Sequence, residues 1–301
     1  MTLYEVVTVL KTFLIATLDR GWIIAQGVIS SGINFFYRFS LIFAIFIEIQ
    51  ERSTSRMRLI FLGTNGWYDT PTGNTVCILL ETQKETIILD AGNGLHKIDR
   101  YLNPSKPIYL FISHFHLDHV VGLHILNKFN LSRGIEVYGP PGTKKLLTQL
   151  IRQPFTANLN NLNTPLRIHD QLSLPALPFS VESKKLSHVS PCYGYRFTLE
   201  NKTIVYCTDT GPCRNLGLLA RQADLLITEC AYKGGETIKW PHLNPVLAAQ
   251  AAQEAGAKKL VLVHFDASLY TTLKDRREAQ AKARKIFPNT LAARDDLEIS
   301  I

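Results

Sequence analysis

The sequence predicts an α/β fold four layers deep, with two facing sheets inside and helices outside (αββα). Three observations carry that expectation. Short runs rich in β-branched and aromatic residues, bounded by turn residues, recur along the chain and dominate its middle. Helical stretches recur outside those runs, which suits helix layers on sheet faces. The apolar fraction of 46% over 301 residues supports a substantial core, in one large domain or two small ones.

In chain order, Met57 to Leu62 alternates as a strand and stops at Gly63. Thr75 to Leu80 and Thr86 to Leu89 are apolar β-rich runs separated by polar residues, as in a hairpin, and Asp90-Ala-Gly closes the second. Leu95 to Leu102 reads as helix, Pro107 to Ile112 as strand, and His119 to Phe129 as helix. Ile135 to Tyr138 is a strand, Pro140-Pro141-Gly142 opens a further helix, and Asn158 to Asn163 is a polar loop. Strands follow at Phe179 to Leu186, Tyr193 to Leu199 and Thr203 to Cys207, then a helix near Leu216 to Gln222 and a strand at Leu225 to Thr228. Asn244-Pro245, the alanine-rich run to Ala255 and then Gly256 are a helix with start and stop signals in place. Lys259 to Val263 is a strand that delivers His264 at its end; a basic helix, Leu273 to Phe287, and a strand, Leu297 to Ile301, complete the order.

Residues 1–56 differ from the rest. Gly21 to Tyr37 is a run of 17 residues without a charge, and a second apolar run spans Phe39 to Ile47. The first is short of the roughly 20 mostly apolar residues a spanning helix needs. No compact apolar run with a cleavage site marks a signal peptide. The only methionines are Met1 and Met57, and Met57 opens a strand that runs into a glycine turn. Residues 1–56 therefore read as an upstream extension, either a misassigned start or a membrane-associated segment, and residues 57–301 as the functional domain.

Five cysteines (77, 192, 207, 213 and 230) form no C-x-x-C pair and no even framework, so they read as free or buried thiols of a reducing compartment, the cytoplasm. The formal charge of +8 and pI near 9.2 are compatible with an anionic substrate such as nucleic acid. The basic residues are scattered, so charge alone decides nothing.

The chemistry concentrates in SHFHLDH, where His114, His116, Asp118 and His119 follow the strand-like run Ile108 to Ser113. Imidazole suits zinc and similar ions, and a carboxylate adds a hard anionic ligand. Residues two apart in extended chain point to the same side, so His114 and His116 can address one metal. After a turn at Leu117, Asp118 and His119 can face a second. The alternative, a solvated helix start capped by Asp118, does not explain four metal-competent side chains in six residues.

SHFHLDHVVGL resembles the signature of the metallo-β-lactamase fold hydrolases. TGNTVCILLE and TIILDAG resemble that family's opening hairpin, SHVSPCYGYRF its third histidine segment, and TIVYCTDTGP its bridging-aspartate segment. DLLITECAY, HLNPVLAAQAAQEAGAKKLVLVHF and IFPNTLAARDDLEISI resemble its ribonuclease Z-like phosphodiesterase branch, so the likeness runs from Met57 to Ile301. The resemblance implies a sandwich of that family's type and two divalent ions, zinc first, with Mn2+ or Fe2+ as other options. His114, His116 and His188 would hold one ion, Asp118, His119 and His264 the other, and Asp209 would bridge them. It also implies that Glu229 orients His242, which protonates the leaving oxygen; Asp118 counts among the catalytic residues as well. Asp90 is expected to be structural or to support a ligand. His96, His124 and His169 fit no place, and the Gly63 and Gly66 loop reads as a tight turn beneath the site.

The resulting expectation is a dinuclear metallohydrolase acting on RNA ends, cyclic nucleotides or other small phosphodiesters. The tRNA-processing members carry a long arm between the third histidine and the bridging aspartate. Here His188 and Asp209 are 21 residues apart, with room for two strands and a turn. Thr208 and Leu269 replace a glycine and an arginine expected from the branch. These departures favour small substrates over tRNA. The rivals are a thioester or lactone hydrolase on the same fold, which would not need Glu229 and His242, and a membrane-tethered binding module, which depends on residues 1–56. An oxygen-reducing diiron protein is disfavoured by His116, where that group uses a glutamate. A homodimer is common in the resembling family, but no interface signature stands out.

Overall fold

A strand buried on both faces must be apolar at nearly every position, and most of the expected strands meet that condition. The computed structural model describes residues 57–169, 177–235 and 240–301. The expected extension, residues 1–56, lies outside them. The first sheet holds β1 (Arg58–Gly63), β3 (Cys77–Glu81), β4 (Thr86–Leu89), β5 (Ile108–Phe111), β6 (Ile135–Tyr138), β7 (Leu166–His169) and β15 (Leu297–Ser300). Its order is β15-β1-β3-β4-β5-β6-β7. The second holds β8 (Ser180–Lys185), β9 (Tyr193–Leu199), β10 (Lys202–Cys207), β11 (Leu225–Glu229), β12 (Leu260–Val263) and β14 (Thr290–Ala292), in the order β14-β12-β11-β10-β9-β8. A third pairing joins two-residue strands, β2 (Asn65–Gly66) and β13 (Phe265–Asp266).

Three buried clusters separate four layers, which is the expected αββα sandwich. The middle one joins alternate residues of both sheets, among them Leu59, Phe61, Phe111, Tyr195, Phe197, Val261 and Val263. Their neighbours Ile60 and Leu62 face helical segments outside the first sheet, while Leu260 and Leu262 face helices outside the second. Phe111 sits at the centre of the middle layer, stacked on Tyr138 at 5.2 Å and edge-on to Phe197 at 4.9 Å. Truncating so buried an aromatic typically costs about 3–5 kcal/mol.

The α-helices among the described residues are α1 (Leu117–Val120), α2 (Thr143–Leu150), α3 (Arg214–Ala220), α4 (Pro245–Glu254) and α5 (Leu273–Arg284). The α4 start is as read from sequence: the Asn244 side chain accepts from the backbone N–H groups of Val246 and Leu247, with Pro245 at the first turn. Thr272 and Asp275 close a capping box on α5.

Two expected helices take a tighter form. The segment read as helix from His119 to Phe129 is one α turn followed by a 3-10 helix, Val121–Lys128. The cause is tertiary: the His119 carbonyl accepts from Ala91 N at 2.8 Å, and Gly122 N donates to the Ala91 carbonyl at 2.9 Å. Those groups are then lost to a regular ladder. Asn93–Arg100 is likewise 3-10. The sequence reading passed over β2, β7, β13 and β14, none longer than four residues. No helix among the described residues is long and apolar enough to cross a membrane.

Candidate dinuclear metal centre

The parallel strands of each sheet bring their carboxyl ends to one edge, and the polar residues cluster there. Asp90 follows β4, His114 to His119 follow β5, and His188 follows β8. Asp209 follows β10, Glu229 ends β11, and His264 follows β12. Asp90, Asp209 and His264 turn the chain out of its strand with φ of +56°, +41° and +50°. Left-handed backbone costs a non-glycine residue roughly 1–2 kcal/mol, and such residues gather at functional sites.

The side chains form two groups, His114, His116, His188 and Asp209 in one, Asp118, His119 and His264 in the other. Within each group one donor atom per residue lies within 4.8 Å of all the others. In the first, His188 Nε2 is 3.4 Å from His116 Nδ1, and Asp209 Oδ2 is 3.7 Å from His114 Nε2 and 3.8 Å from His188 Nε2. In the second, His264 Nε2 lies 3.1 Å from His119 Nε2 and 3.3 Å from Asp118 Oδ2. Asp209 Oδ1 is 3.2 Å from both of those imidazole nitrogens. One carboxylate thus presents one oxygen to each group, as a bridging ligand must.

The fit to metal ions rests on the donors themselves. His114 Nε2 is buried without a hydrogen-bond partner and lies 3.7 Å from Asp209 Oδ2, so an ion between them would satisfy a polar atom that is costly to leave unmet. Its other nitrogen, Nδ1, is 3.0 Å from Ser113 Oγ, and that hydroxyl donates to Asp90 Oδ2 at 2.8 Å. His119 Nδ1 also meets Asp90 Oδ2 at 2.8 Å, so its Nε2 is left for the site. Asp90 therefore supports two of the candidate ligands, and it is itself fastened by Ser113 N at 2.7 Å and the Tyr206 hydroxyl at 2.6 Å. Ligating imidazoles characteristically have such partners. Ser190 Oγ plays a similar part at His116 Nε2, 3.0 Å away.

Electrostatics agree with the geometry. Burial, then the neighbouring imidazoles, pushes the His114 ring down to about 2; burial likewise pushes His188 down to about 4. Both are therefore neutral, as a metal ligand must be. Burial also opposes charge on Asp209 and Asp118, but facing histidines outweigh it and hold both carboxyls ionised. His119 and His264 are pushed up against their burial by those carboxylates, so a cation would compete with a proton at their Nε2 atoms.

Two further features sit beside the candidate ligands. Glu229 is fully buried. Its Oε1 accepts from Thr210 N at 2.6 Å and meets His242 Nδ1 at 2.7 Å, while Oε2 accepts from Ala231 N and Leu243 N, each at 3.2 Å. The His242 ring lies 5.2 Å from that of His188 and 6.1 Å from that of His264. Burial lowers its proton affinity, but Glu229 outweighs it and pushes His242 up to about 9. Gly66, in β2, packs under the site: a Cβ there would come within 2.5 Å of the His264 ring. Arg276 of α5 steadies that loop by donating to Thr64 Oγ1 at 2.7 Å and to Asn65 Oδ1.

All nine residues singled out from sequence come together at this edge. His96, His124 and His169 stand apart, bonded to Asn93, Val121 and Glu136 respectively. Ser113, Ser190 and Tyr206 were not singled out; the two serines each stand within two residues of a histidine that was, which is the one local signal they offered. His188 and Asp209 are joined by β9, β10 and a turn at Glu200 and Asn201, with φ of +48° and +60°, the left-handed pair a tight hairpin needs. The segment is thus a bare hairpin, without an arm.

Fold and site together define a metal-dependent hydrolase. The Beta-lactamase superfamily domain matches residues 85–265, and the chain belongs to that superfamily. Ribonuclease Z of Synechococcus sp. (strain CC9605) is 29% identical over 316 aligned positions, covering 81% of this chain and 98% of the relative. The ribonuclease Z of Bacillus licheniformis is 28% identical, over 81% of this chain and 99% of its own. Because 316 positions exceed the part of this chain they include, the Synechococcus relative carries inserted residues that this chain lacks. Among solved structures, the metallo-beta-lactamase fold protein YhfI from Bacillus subtilis has a TM-score of 0.69 at 23% identity, covering 82% of this chain and 100% of that one. The short form of human tRNase Z has a TM-score of 0.63 at 24% identity, covering 81% and 99%. These two likenesses are of fold.

Proposed function

We propose that residues 57–301 are a dinuclear zinc phosphodiesterase in which Glu229 and His242 deliver a proton to the leaving oxygen. The observation that carries this reading is the 2.7 Å hydrogen bond between His242 Nδ1 and Glu229 Oε1, beside the rings of two ligand histidines. Hydrolysis of an alkyl phosphodiester expels a poorly stabilised alkoxide, so a placed acid accelerates it, typically by 10²–10⁴-fold. A thioester or a lactone asks less of an acid. The name ribonuclease Z carried by the curated relatives points the same way.

His114, His116, His188 and Asp209 would hold one ion, and Asp118, His119, His264 and Asp209 the other. Imidazole and carboxylate donors suit zinc, with Mn2+ or Fe2+ as further candidates. When bound, the ions would supply Lewis acidity at the phosphoryl oxygens and a more acidic attacking water. Asp118 is the carboxylate available to accept that water's proton. Glu229 engages His242 Nδ1 at 2.7 Å, which would leave Nε2 as the atom that gives its proton to the leaving oxygen. Its four hydrogen-bond partners hold the carboxylate still while His242 loses and regains a proton.

The bare hairpin between His188 and Asp209 favours short or unpaired substrates (cyclic nucleotides, oligonucleotide ends) over folded tRNA. The five free thiols are consistent with a cytoplasmic protein. The decisive experiment is His242→Ala on zinc-loaded protein, with two diesters compared. Turnover of adenylyl-adenosine, which has an alkyl leaving group, is expected to fall at least 100-fold, and that of bis-p-nitrophenyl phosphate much less. Unchanged turnover of both, or faster cleavage of a thioester or lactone than of either, would overturn the reading.

A further inference from the structure

Tryptophan ordinarily buries most of its large surface. Both tryptophans among the described residues do the opposite, and both do it at the metal centre: Trp67 is 67% exposed and Trp240 47%. The Trp240 ring lies 6.1 Å from that of His116 and 6.4 Å from that of His188, in the first ligand group. Trp67 serves the second group, its backbone N–H donating to Asp118 Oδ2 at 2.7 Å. The chain accepts a φ of +74° at Trp67, an outlier for so bulky a residue. That conformation leaves the indole in solvent, braced by Tyr68 edge-on at 5.2 Å. Leu117 and Val189, each next in sequence to a ligand histidine, extend this apolar rim at 65% and 57% exposure. A core role explains none of these side chains.

We propose that Trp67 and Trp240 are stacking platforms for the nucleobases on either side of the scissile bond. The substrate class is then an unpaired nucleotide diester, whose base faces are free to stack. This rests on the phosphodiesterase reading for the bond that is cut. Indole–base stacking is strong and tolerant of base identity, and one tryptophan at each ligand group, Trp240 by its ring and Trp67 by its backbone contact, suits one base on each side of the phosphorus. A base-paired duplex hides its base faces and cannot use these surfaces. The backbone N–H that reaches Asp118 survives in Trp67→Ala, so the test leaves that contact in place.

The full-length protein is titrated calorimetrically with a hydrolysis-resistant phosphorothioate analogue of adenylyl-adenosine, a nucleotide with one base for each platform, and with ribose 5-phosphate. Trp67→Ala and Trp240→Ala are each expected to weaken the nucleotide about tenfold and to leave ribose 5-phosphate within about twofold. Trp67→Phe and Trp240→Phe, which keep a ring, should recover most of the difference. With adenylyl-adenosine as substrate the same loss should fall on KM and not on kcat; with glycerophosphocholine, which has no base, KM should move little. Equal losses for both ligands, or alanine variants that bind the nucleotide as the parent does, would overturn the proposal. If no diester is cleaved, the phosphodiesterase reading fails on its own, and the titration still decides the stacking.

Discussion

Asp90 illustrates how much of this centre depends on residues that never face a substrate. It holds His119 directly and His114 through Ser113, and it is anchored by Tyr206 from the opposite sheet. Asp90→Asn would offer an N–H toward one of these donors. Metal affinity is expected to fall about 10- to 100-fold in a protein whose circular dichroism is unchanged. Unaltered affinity in a chelator competition would show that Asp90 is not the support described here. The candidate ligand cluster was legible in the sequence because four metal-competent donors crowd into six residues. His188, Asp209 and His264 were legible only through family resemblance, since one histidine or aspartate after a strand is ordinary. The supporting role of Asp90 was anticipated, but its partners Ser113 and Tyr206 and the two exposed tryptophans were not legible. Neither a cross-sheet hydrogen bond nor an outward-facing indole leaves a local pattern.

At the scale of elements, strands buried on both faces announced themselves as apolar runs, and α4 by its start and stop signals. The tight 3-10 stretch after α1 did not, because a carbonyl from a distant loop decides it. Two-residue strands carry no periodicity at all, yet the β2–β13 pair seats Gly66 against the His264 ring. Gly66→Ala is therefore expected to displace that ring and reduce bound metal from two ions to one per chain. Elemental analysis of the purified variant would check this. Gly217→Ala is the matched control, because a Cβ there meets nothing within 4 Å and lies inside α3. It should raise stability by about 0.5–1 kcal/mol and keep both ions. Two ions in Gly66→Ala would contradict the packing argument.

For the whole molecule, the proposed ligands come from loops of both sheets, and their donor atoms converge only in the native fold. Ions bound by the native state alone stabilise it by mass action, about 4 kcal/mol for a free-ion concentration a thousandfold above Kd. For a domain of this size that is of order 10 °C in Tm. Chelation should lower Tm by about that amount, reversibly on adding zinc; metal loss without a change in Tm would argue against ligands shared between the sheets. The layers followed from pattern, but strand order and the return of β15 to the edge beside β1 did not, because sequence periodicity says which face is buried and not which neighbour covers it. The left-handed backbone at Asp90, Asp209 and His264 has an evolutionary consequence. Each is a position where glycine would relax the chain, so selection for stability alone would erode the site. The centre persists only while its chemistry is itself under selection.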